Sequence, residues 1–292
     1  MNQNSYTHYR LKCYDLNIPA IKNRNNDMSL IALTHRTIIE LKGEDTVTFL
    51  QGQTTNDMTR LTPGGCLYTV FLNHQGKFMN DAFAIMPATD HVWLDVEAEH
   101  ALALLKKLTM YKLRSKVTLE LRVDIGVYAC FDALTIEGEA LIVQDPRTTD
   151  MGQRIYTTTQ QAADTNITAY DERRMPPYIP DGTRDVPYER GFIMEYGFDQ
   201  LNAIDFQKGC YVGQELTARM HYRKLGKRQL VCVEFEGDVP ESGTDITHEG
   251  ASVGTLRSTC GRLALAHIKT ETLEATDTFI AQGRVMRIHP KK

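Results

Sequence analysis

The sequence predicts an α+β protein: a mixed layer containing a split β-α-β unit, followed by a small all-β module at the C-terminal end. Three observations predict this class. Between His91 and Leu121, two runs with apolar residues at every second position flank one with apolar residues at helical spacing. Further short β-rich runs precede and follow that unit. Beyond Leu225 only short strand patterns remain, separated by Gly, Pro and Ser, with no long helix.

The elements follow in chain order. "TIIEL" reads as a strand; a Gly43 turn and a short helix over about Glu44 to Leu50 come next, ended by Gly52 and Asn56-Asp57. In "LYTVFLNHQGKFMNDAFAIM" two β-rich runs flank "NHQGK", a hairpin signature. "HVWLDV" alternates Val92, Leu94 and Val96; Ala101, Leu104, Leu105 and Leu108 mark one helix face; "KVTLEL" returns to period two at Val117, Leu119 and Leu121. "GVYAC" and "ALIVQ" add two strands before "DPRTTDMG", which reads as a turn-rich boundary. Residues 150–190 include Pro176, Pro177, Pro180 and Pro187, which predicts a segment crossing a surface rather than building a core. "KRQLVCVEFEG", "ASVGTLRS" and "RLALAHI" are strands of the last module, a barrel or a sandwich. The predicted organisation is a polar extension at 1–27, an α+β region at 28–224 and a β module at 225–292.

A chain of 292 residues accommodates two domains of roughly 150 residues each. Its 42% hydrophobic and 24% charged residues are the profile of a soluble globular protein. A net charge of −4 gives no overall field to draw in nucleic acid, so any anion site is local. No apolar run approaches the roughly 18 residues that span a bilayer, and the opening lacks a secretory signal's apolar stretch. Neither nucleic acid nor a membrane is therefore an expected partner. The Asn-rich opening has four Lys/Arg against two Asp and reads as a solvated tail. A weak matrix-targeting segment and a true start at Met28 are its alternatives. Cys13, Cys66, Cys130, Cys210, Cys232 and Cys260 form no CxxC pair, which points to a reducing compartment with most thiols buried as small hydrophobes. With no HxxxH, phosphate-loop or GxSxG spacing, neither a fixed metal site nor a serine hydrolase is expected.

The chemistry concentrates in "KGCYVGQELTAR". Gly209 and Gly213 bracket Cys210, and a helix compatible with the Leu216 and Met220 stripe begins near Gly213. A thiol just before a helix N-terminus meets unpaired N–H groups that favour the thiolate, and Lys208 adds a positive charge. Lys208, Arg219, Arg223, Lys224, Lys227 and Arg228 face a single acid, Glu215, so the segment suits an anionic ligand. A Cys packed in a turn and a solvated Lys/Arg face are the plainer alternatives. His221 reads as a helix-surface residue, with a base for Cys210 as its other role.

"KGCYVGQELTAR" resembles the signature Lys-Gly-Cys-Tyr/Phe-x-Gly-Gln-Glu of the YgfZ/Iba57 family of folate-binding iron–sulfur assembly proteins. "FLQGQTTNDM", "FLNHQGKFMND", "YKLRSKVTLE", "DPRTTDMG" and "GFIMEYGFDQLNAIDF" extend the match over Met28 to Ile268. The family is similar in fold to the aminomethyltransferase (T-protein) of glycine cleavage. That similarity implies two interleaved, ferredoxin-like split β-α-β subdomains around a central channel, with a C-terminal β-barrel. It also implies tetrahydrofolate or a related reduced folate as cofactor. Glu195 in "FIMEYG" matches the T-protein glutamate that holds the pterin, and Tyr68 in "CLYTVFLN" matches a T-protein tyrosine. Their plainer readings are a surface carboxylate and a core aromatic. Where T-proteins carry a paired Asp-Asp, this chain has Asn80-Asp81, which leaves one carboxylate fewer for charge stabilisation.

The resemblance therefore implies a tetrahydrofolate-binding accessory factor in the maturation of 4Fe-4S proteins. Cys210 is its expected reactive thiol, aided by Lys208, while cations such as Arg223 and Arg228 hold the folate glutamate tail. Expected partners are iron–sulfur assembly proteins and 4Fe-4S client proteins, in the cytoplasm of a bacterium or alternatively the mitochondrial matrix. The competing readings are a folate-dependent aminomethyltransferase or demethylase, and a folate-regulated scaffold with a structural thiol.

Overall fold

The computed structural model describes residues 30–132 and 136–291; the predicted extension at 1–27, Met28 and Cys13 lie outside them. After a short strand β1 (Leu30–Ala32), strand β2 (Arg36–Lys42) and helix α1 (Thr46–Gln51) match the first two predicted elements. Strands β3 (Cys66–Leu72) and β4 (Phe78–Ala88) form the expected hairpin. Strand β5 (His91–Glu97), helix α2 (Ala98–Tyr111) and strand β6 (Thr118–Arg122) then supply the split unit, because β2 inserts between β5 and β6 in a sheet ordered β3-β4-β5-β2-β6.

Both faces of this sheet are covered, and the sequence pattern of β4 shows how. Phe83 and Ile85 point into one core beside Tyr68, whereas Ala82, Ala84 and Met86 meet the α2 stripe of Ala101, Leu104 and Leu108 in the other. Small residues on the α2 side let the helix approach closely.

Strands β7 (Gly126–Cys130), β8 (Leu141–Gln144) and β9 (Gln153–Thr157) build a second sheet ordered β1-β7-β9-β8. From β1 in this sheet the chain crosses to the first and returns, which interleaves the two subdomains. Here the structure corrects the expected boundary at "DPRTTDMG". Asp145 and Arg147 form an ion pair at 2.7 Å with both side chains buried, and β9 follows directly as a central strand. The segment 150–190 is likewise no surface crossing. Helix α3 (Thr168–Arg174) and helix α4 (Gly182–Asp185) bury Tyr170, Arg174 and Asp185, and Met175, Ile179 and Val186 join the core. Polar residues there are buried because they satisfy each other, so polarity concealed burial.

Between the sheets lies a buried ionic network. Arg36 donates to Asp95 at 2.7 Å and to Asp81 at 3.0 Å, and Arg154 donates to the second oxygen of Asp95 at 2.6 Å. Tyr68 and Tyr156 donate their phenols to Asp81 and Asp95 at 3.0 and 2.9 Å.

Helix α5 (Gln214–Arg223) leads to the C-terminal module. Strands β10 (Arg228–Phe235), β11 (Asp245–His248), β12 (Ala251–Cys260) and β13 (Leu263–Lys269), short helix α6 (Thr270–Ala275), and strands β14 (Thr278–Ala281) and β15 (Arg284–Ile288) close a six-stranded barrel ordered β10-β13-β12-β11-β14-β15. Closure resolves the barrel-or-sandwich alternative, and pairing of β15 with β10 removes the last edge. Val233, Phe235, Leu256, Ala266, Phe279 and Met286 fill its interior. Arg174 fastens the barrel to the rest by donating to Ser258 of β12 at 2.7 Å.

Candidate functional site

The signature loop is stitched to the turn after α1. Thr55 donates to the Ala203 carbonyl at 2.7 Å, Asn56 donates to the Asn202 carbonyl at 2.7 Å, and the Asp205 amide donates back to the Thr55 carbonyl at 3.0 Å. Lys208 completes the seam. Its ammonium donates to the carbonyls of Gln51, Thr54 and Asn56 at 2.8, 2.7 and 2.6 Å. All three proton positions of the lysine are thereby used. Burial draws its pKa down to about 8, against the pull of Asp57 and Asp205. The positive charge expected near the thiol is thus committed to backbone carbonyls, and Lys208 holds the "QGQTTN" turn. Sequence reasoning left that turn without a role.

Gly213 then caps α5 in a left-handed conformation, φ +83°. A Cβ at this position would lie 2.8 Å from the Asn73 carbonyl oxygen and 2.9 Å from Leu72 Cβ, so the hairpin tip of β3–β4 requires glycine here on both steric and conformational grounds. Cys210 projects from the loop just before this cap. It is the exposed thiol among the described cysteines: Cys130 and Cys232 are buried, Cys66 and Cys260 half-buried. Burial raises the thiol of Cys66 far above its ordinary range and pushes Cys232 up to about 12, which leaves those two inert.

A cavity of about 650 Å³ opens at the other end of α5, lined by Tyr178, Glu195, Tyr196, Met220, Lys224 and Arg228 among others. The volume is that of a small-molecule site. Glu195 sits in a 3₁₀ turn, Ile193–Tyr196, and its carboxylate accepts from the Lys227 amide at 3.1 Å. Its other oxygen lies 3.5 Å from His267 Nε2, short of a hydrogen bond. His267 is held by stacking on Tyr196, with ring centroids 4.3 Å apart, and by a 3.2 Å contact between Nδ1 and the Tyr196 hydroxyl. Burial works to raise the Glu195 pKa, but His267 and the amides of Lys227 and Arg228 hold it below the usual carboxylate range. Burial pulls His267 down, against Glu195, below its ordinary value of 6.5.

The His267 shift has a measurable sign. Between about pH 6.5 and the lower folded value, the unfolded chain takes up a proton that the folded ring refuses, so this ring's contribution to stability is full above 6.5 and falls as pH drops. A His267→Phe variant is expected to lose that part of the slope in denaturant melts recorded from pH 7.5 to 5. An unchanged slope would contradict the burial of the ring.

The structure distributes the expected site residues unevenly. Glu195 and Arg228 share the cavity, while Arg223 is exposed and outside its lining. Tyr68 is at 0% exposure, its ring 6.0 Å from Phe198 and its hydroxyl given to Asp81, which is the position of a core aromatic. Asp81 is neutralised by Arg36, and its neighbour Asn80 is buried with both amide atoms unpartnered. His221 stacks on Phe206, with ring centroids 3.7 Å apart, and lines the cavity. Cys210 does not line the cavity either; α5, about 15 Å long at 1.5 Å per residue, runs from the thiol's loop to the cavity wall. Tyr178 and Lys291, which line the cavity, and His267, which lies behind Glu195 and Tyr196 of its wall, are residues that sequence reasoning missed. The one available signal was a histidine inside the apolar run "LALAHI". Among the described residues no three His, Cys, Asp or Glu side chains are grouped to hold a metal ion, and no helix is long and apolar enough to cross a membrane.

Comparison with known proteins agrees with this architecture. Residues 16–169 match the GCVT N-terminal domain, and residues 227–291 match the CAF17 C-terminal beta-barrel domain. The aminomethyltransferase T of the glycine cleavage system from Bartonella henselae superposes with a TM-score of 0.73 over 91% of this chain and 86% of its own, at 14% identity, which establishes the shared fold. The mitochondrial iron–sulfur cluster assembly factor IBA57 of Mus musculus is 30% identical over 278 residues, covering 83% of this chain and 78% of the relative. Its Homo sapiens counterpart is 30% identical over 276 residues with the same coverage. On the matched domains, the closed barrel and these relatives, the chain belongs to the Iba57/YgfZ family.

Proposed function

We propose that this protein is a tetrahydrofolate-binding accessory factor in iron–sulfur cluster assembly, serving 4Fe-4S client proteins through the Cys210 thiol. The observation that carries the proposal is the exposure of Cys210 on a loop anchored by Lys208. A thiolate is the usual iron–sulfur ligand, and only an exposed one meets a cluster presented by another molecule. The cluster is cargo here. One cysteine cannot fill a cluster's ligand set, so the remaining ligands come from a partner or a small thiol. The iron–sulfur role of the mouse and human relatives supports the assignment, and their mitochondrial designation supports the matrix of the two compartments expected.

The cavity beside α5 fits a reduced folate. Glu195, ionised and held by backbone amides, offers an acceptor pair to the aminopyrimidine edge of a pterin, and the buried, unpartnered Nε2 of His267 adds a polar atom beside it. Arg228, Lys224 and Lys291 supply cations for the glutamate tail. When bound, the reduced pterin supplies the electron-rich ring; the chain's residues orient it. A one-carbon transferase reading gains no support, because the remaining carboxylate of the T-protein pair, Asp81, is locked in a salt bridge at 3.0 Å.

Titration with tetrahydrofolate tests the cavity. Glu195→Gln replaces a charged acceptor with a neutral amide and is expected to weaken binding by about 1.5–3 kcal/mol, roughly ten- to a hundred-fold. Equal affinity in wild type and variant would remove folate from this cavity. Restored aconitase activity in an assembly-defective strain carrying the wild-type chain tests the pathway itself, and no restoration would refute it.

A further inference from the structure

We infer that the face carrying Cys210 is a docking surface for an acidic protein that presents a thiolate-ligated iron–sulfur cluster, and that the exposed end of α2 is its main contact point. The inference rests on the proposed function and adds where, and by what chemistry, the partner binds.

Two strips flank the thiol's loop. Residues 106–116 at the end of α2 hold Lys106, Lys107, Lys112, Arg114 and Lys116 with no Asp or Glu. Residues 216–228 hold Arg219, Arg223, Lys224, Lys227 and Arg228, again with no Asp or Glu. Of these ten cations, among the described residues, only Lys116 is ion-paired, with Glu44. Glu215 on α5, Glu189 near Lys107, Glu44 and Asp45 at Lys116, and Asp57 and Asp205 near Lys208 are the nearby acids, fewer than the cations. In a chain of net charge −4, this is a local reversal of sign.

The α2 end is also apolar where it meets water. Met110 is 74% and Leu113 85% exposed, the latter in a left-handed conformation, φ +46°, that usually falls to glycine. Large exposed apolar side chains ringed by cations match the anchor and rim of a protein interface.

The tip of the β3–β4 hairpin joins this end to Cys210. His74 Nε2 lies 2.7 Å from the Tyr111 hydroxyl at the end of α2. Gly76, two residues on, packs so closely against the start of α5 that a Cβ there would sit 3.1 Å from both the Gly213 carbonyl oxygen and Leu216 Cβ. The apolar anchor, the hairpin tip and the thiol's loop are therefore one continuous surface. A cluster held by thiolates is an anion, and an acidic carrier adds to its charge, so the strip at the end of α2, with the exposed Arg219 and Arg223 of α5, would draw it toward Cys210, while Lys224 and Arg228 stay with the cavity. Charge complementarity selects this occupant over a second copy of the chain, which would bring the same cations.

A photo-reactive residue placed at Met110 or Leu113 of the full chain in cells tests this, with Val285 on the barrel as control. The expected result is an adduct, identified by mass spectrometry, with an acidic protein whose cysteines bind a cluster, and loss of that adduct with Lys106→Glu/Arg114→Glu. A Lys106→Glu/Met110→Ser/Leu113→Ser/Arg114→Glu variant is expected to lower client activity at least about ten-fold. Its unfolding midpoint, folate affinity and rate of Cys210 labelling should be unchanged. No adduct above the Val285 control, an adduct with itself, with lipid or with a protein that binds no cluster, or full activity of the variant would each overturn the inference. If Cys210→Ala is inactive while the surface variant is active, this docking site alone fails; if Cys210→Ala is active, the proposed function fails with it.

Discussion

Cys210→Ala is expected to abolish maturation of 4Fe-4S clients while leaving the folded protein and its folate affinity intact. The side chain is exposed and accepts or donates nothing in the described structure's core, so its removal costs no packing; surface changes of this kind stay within about 0.5 kcal/mol. It does not line the cavity, so folate titration should be superimposable on wild type. The other described thiols cannot substitute, because they are buried or half-buried and Cys66 and Cys232 resist ionisation. Aconitase activity in a complemented strain, read beside denaturant melts of the purified variant, separates loss of chemistry from loss of fold. Full client activity with alanine at this position would reduce the thiol to a bystander.

Arg174→Met is expected to be the most damaging of the substitutions considered for stability. The guanidinium is fully buried and donates to Asp171 at 2.6 Å, Asp185 at 2.7 Å, the Ile179 carbonyl at 3.0 Å and Ser258 at 2.7 Å. Asp171 would keep Arg184, but Asp185, at 0% exposure, would lose its cation and stand unpaired in the interior. Breaking one side of a buried pair costs about 3–5 kcal/mol. Against a typical total of about 5–15 kcal/mol, that brings the protein close to its unfolding threshold. The same change cuts the link from α3 and α4 to β12, so the barrel should lose protection in hydrogen exchange along with the global midpoint. A companion Arg174→Met/Asp185→Asn variant should recover part of the loss, since no uncompensated charge remains. An unfolding free energy within about 1 kcal/mol of wild type would show that the cluster is decorative.

What was legible in the sequence was periodicity. The alternation in "HVWLDV", the 3.6-residue stripe of α2 and the hairpin around "NHQGK" placed most of the first sheet, and Gly213 ended up where a sharp turn into a helix was expected. Burial by mutual satisfaction was not legible. Asp145, Arg147, Arg154 and Arg174 look like surface residues one at a time and become core residues only as pairs, which is why a boundary was read at 145–152 and a surface crossing at 150–190. Short barrel strands such as β11 and β14 escaped for a related reason, as four residues hold too few alternations to register. At the site, the motif named Cys210 and Lys208 but assigned the lysine by charge. Three backbone carbonyls converging from a turn some 150 residues away are invisible until the chain is folded. His267 was missed likewise, because its meaning comes from Tyr196 and Glu195, on a different element.

Brief alkylation of the native protein with iodoacetamide, followed by peptide mapping and a client-maturation assay on the same sample, probes the exposed thiol without altering the sequence. Label should appear at Cys210 ahead of Cys66, Cys130, Cys232 and Cys260, and activity should fall in step with its occupancy. Complete labelling of Cys210 with maturation undiminished, or a Cys210 that resists labelling in the folded state, would contradict a role for this sulfur in handling clusters.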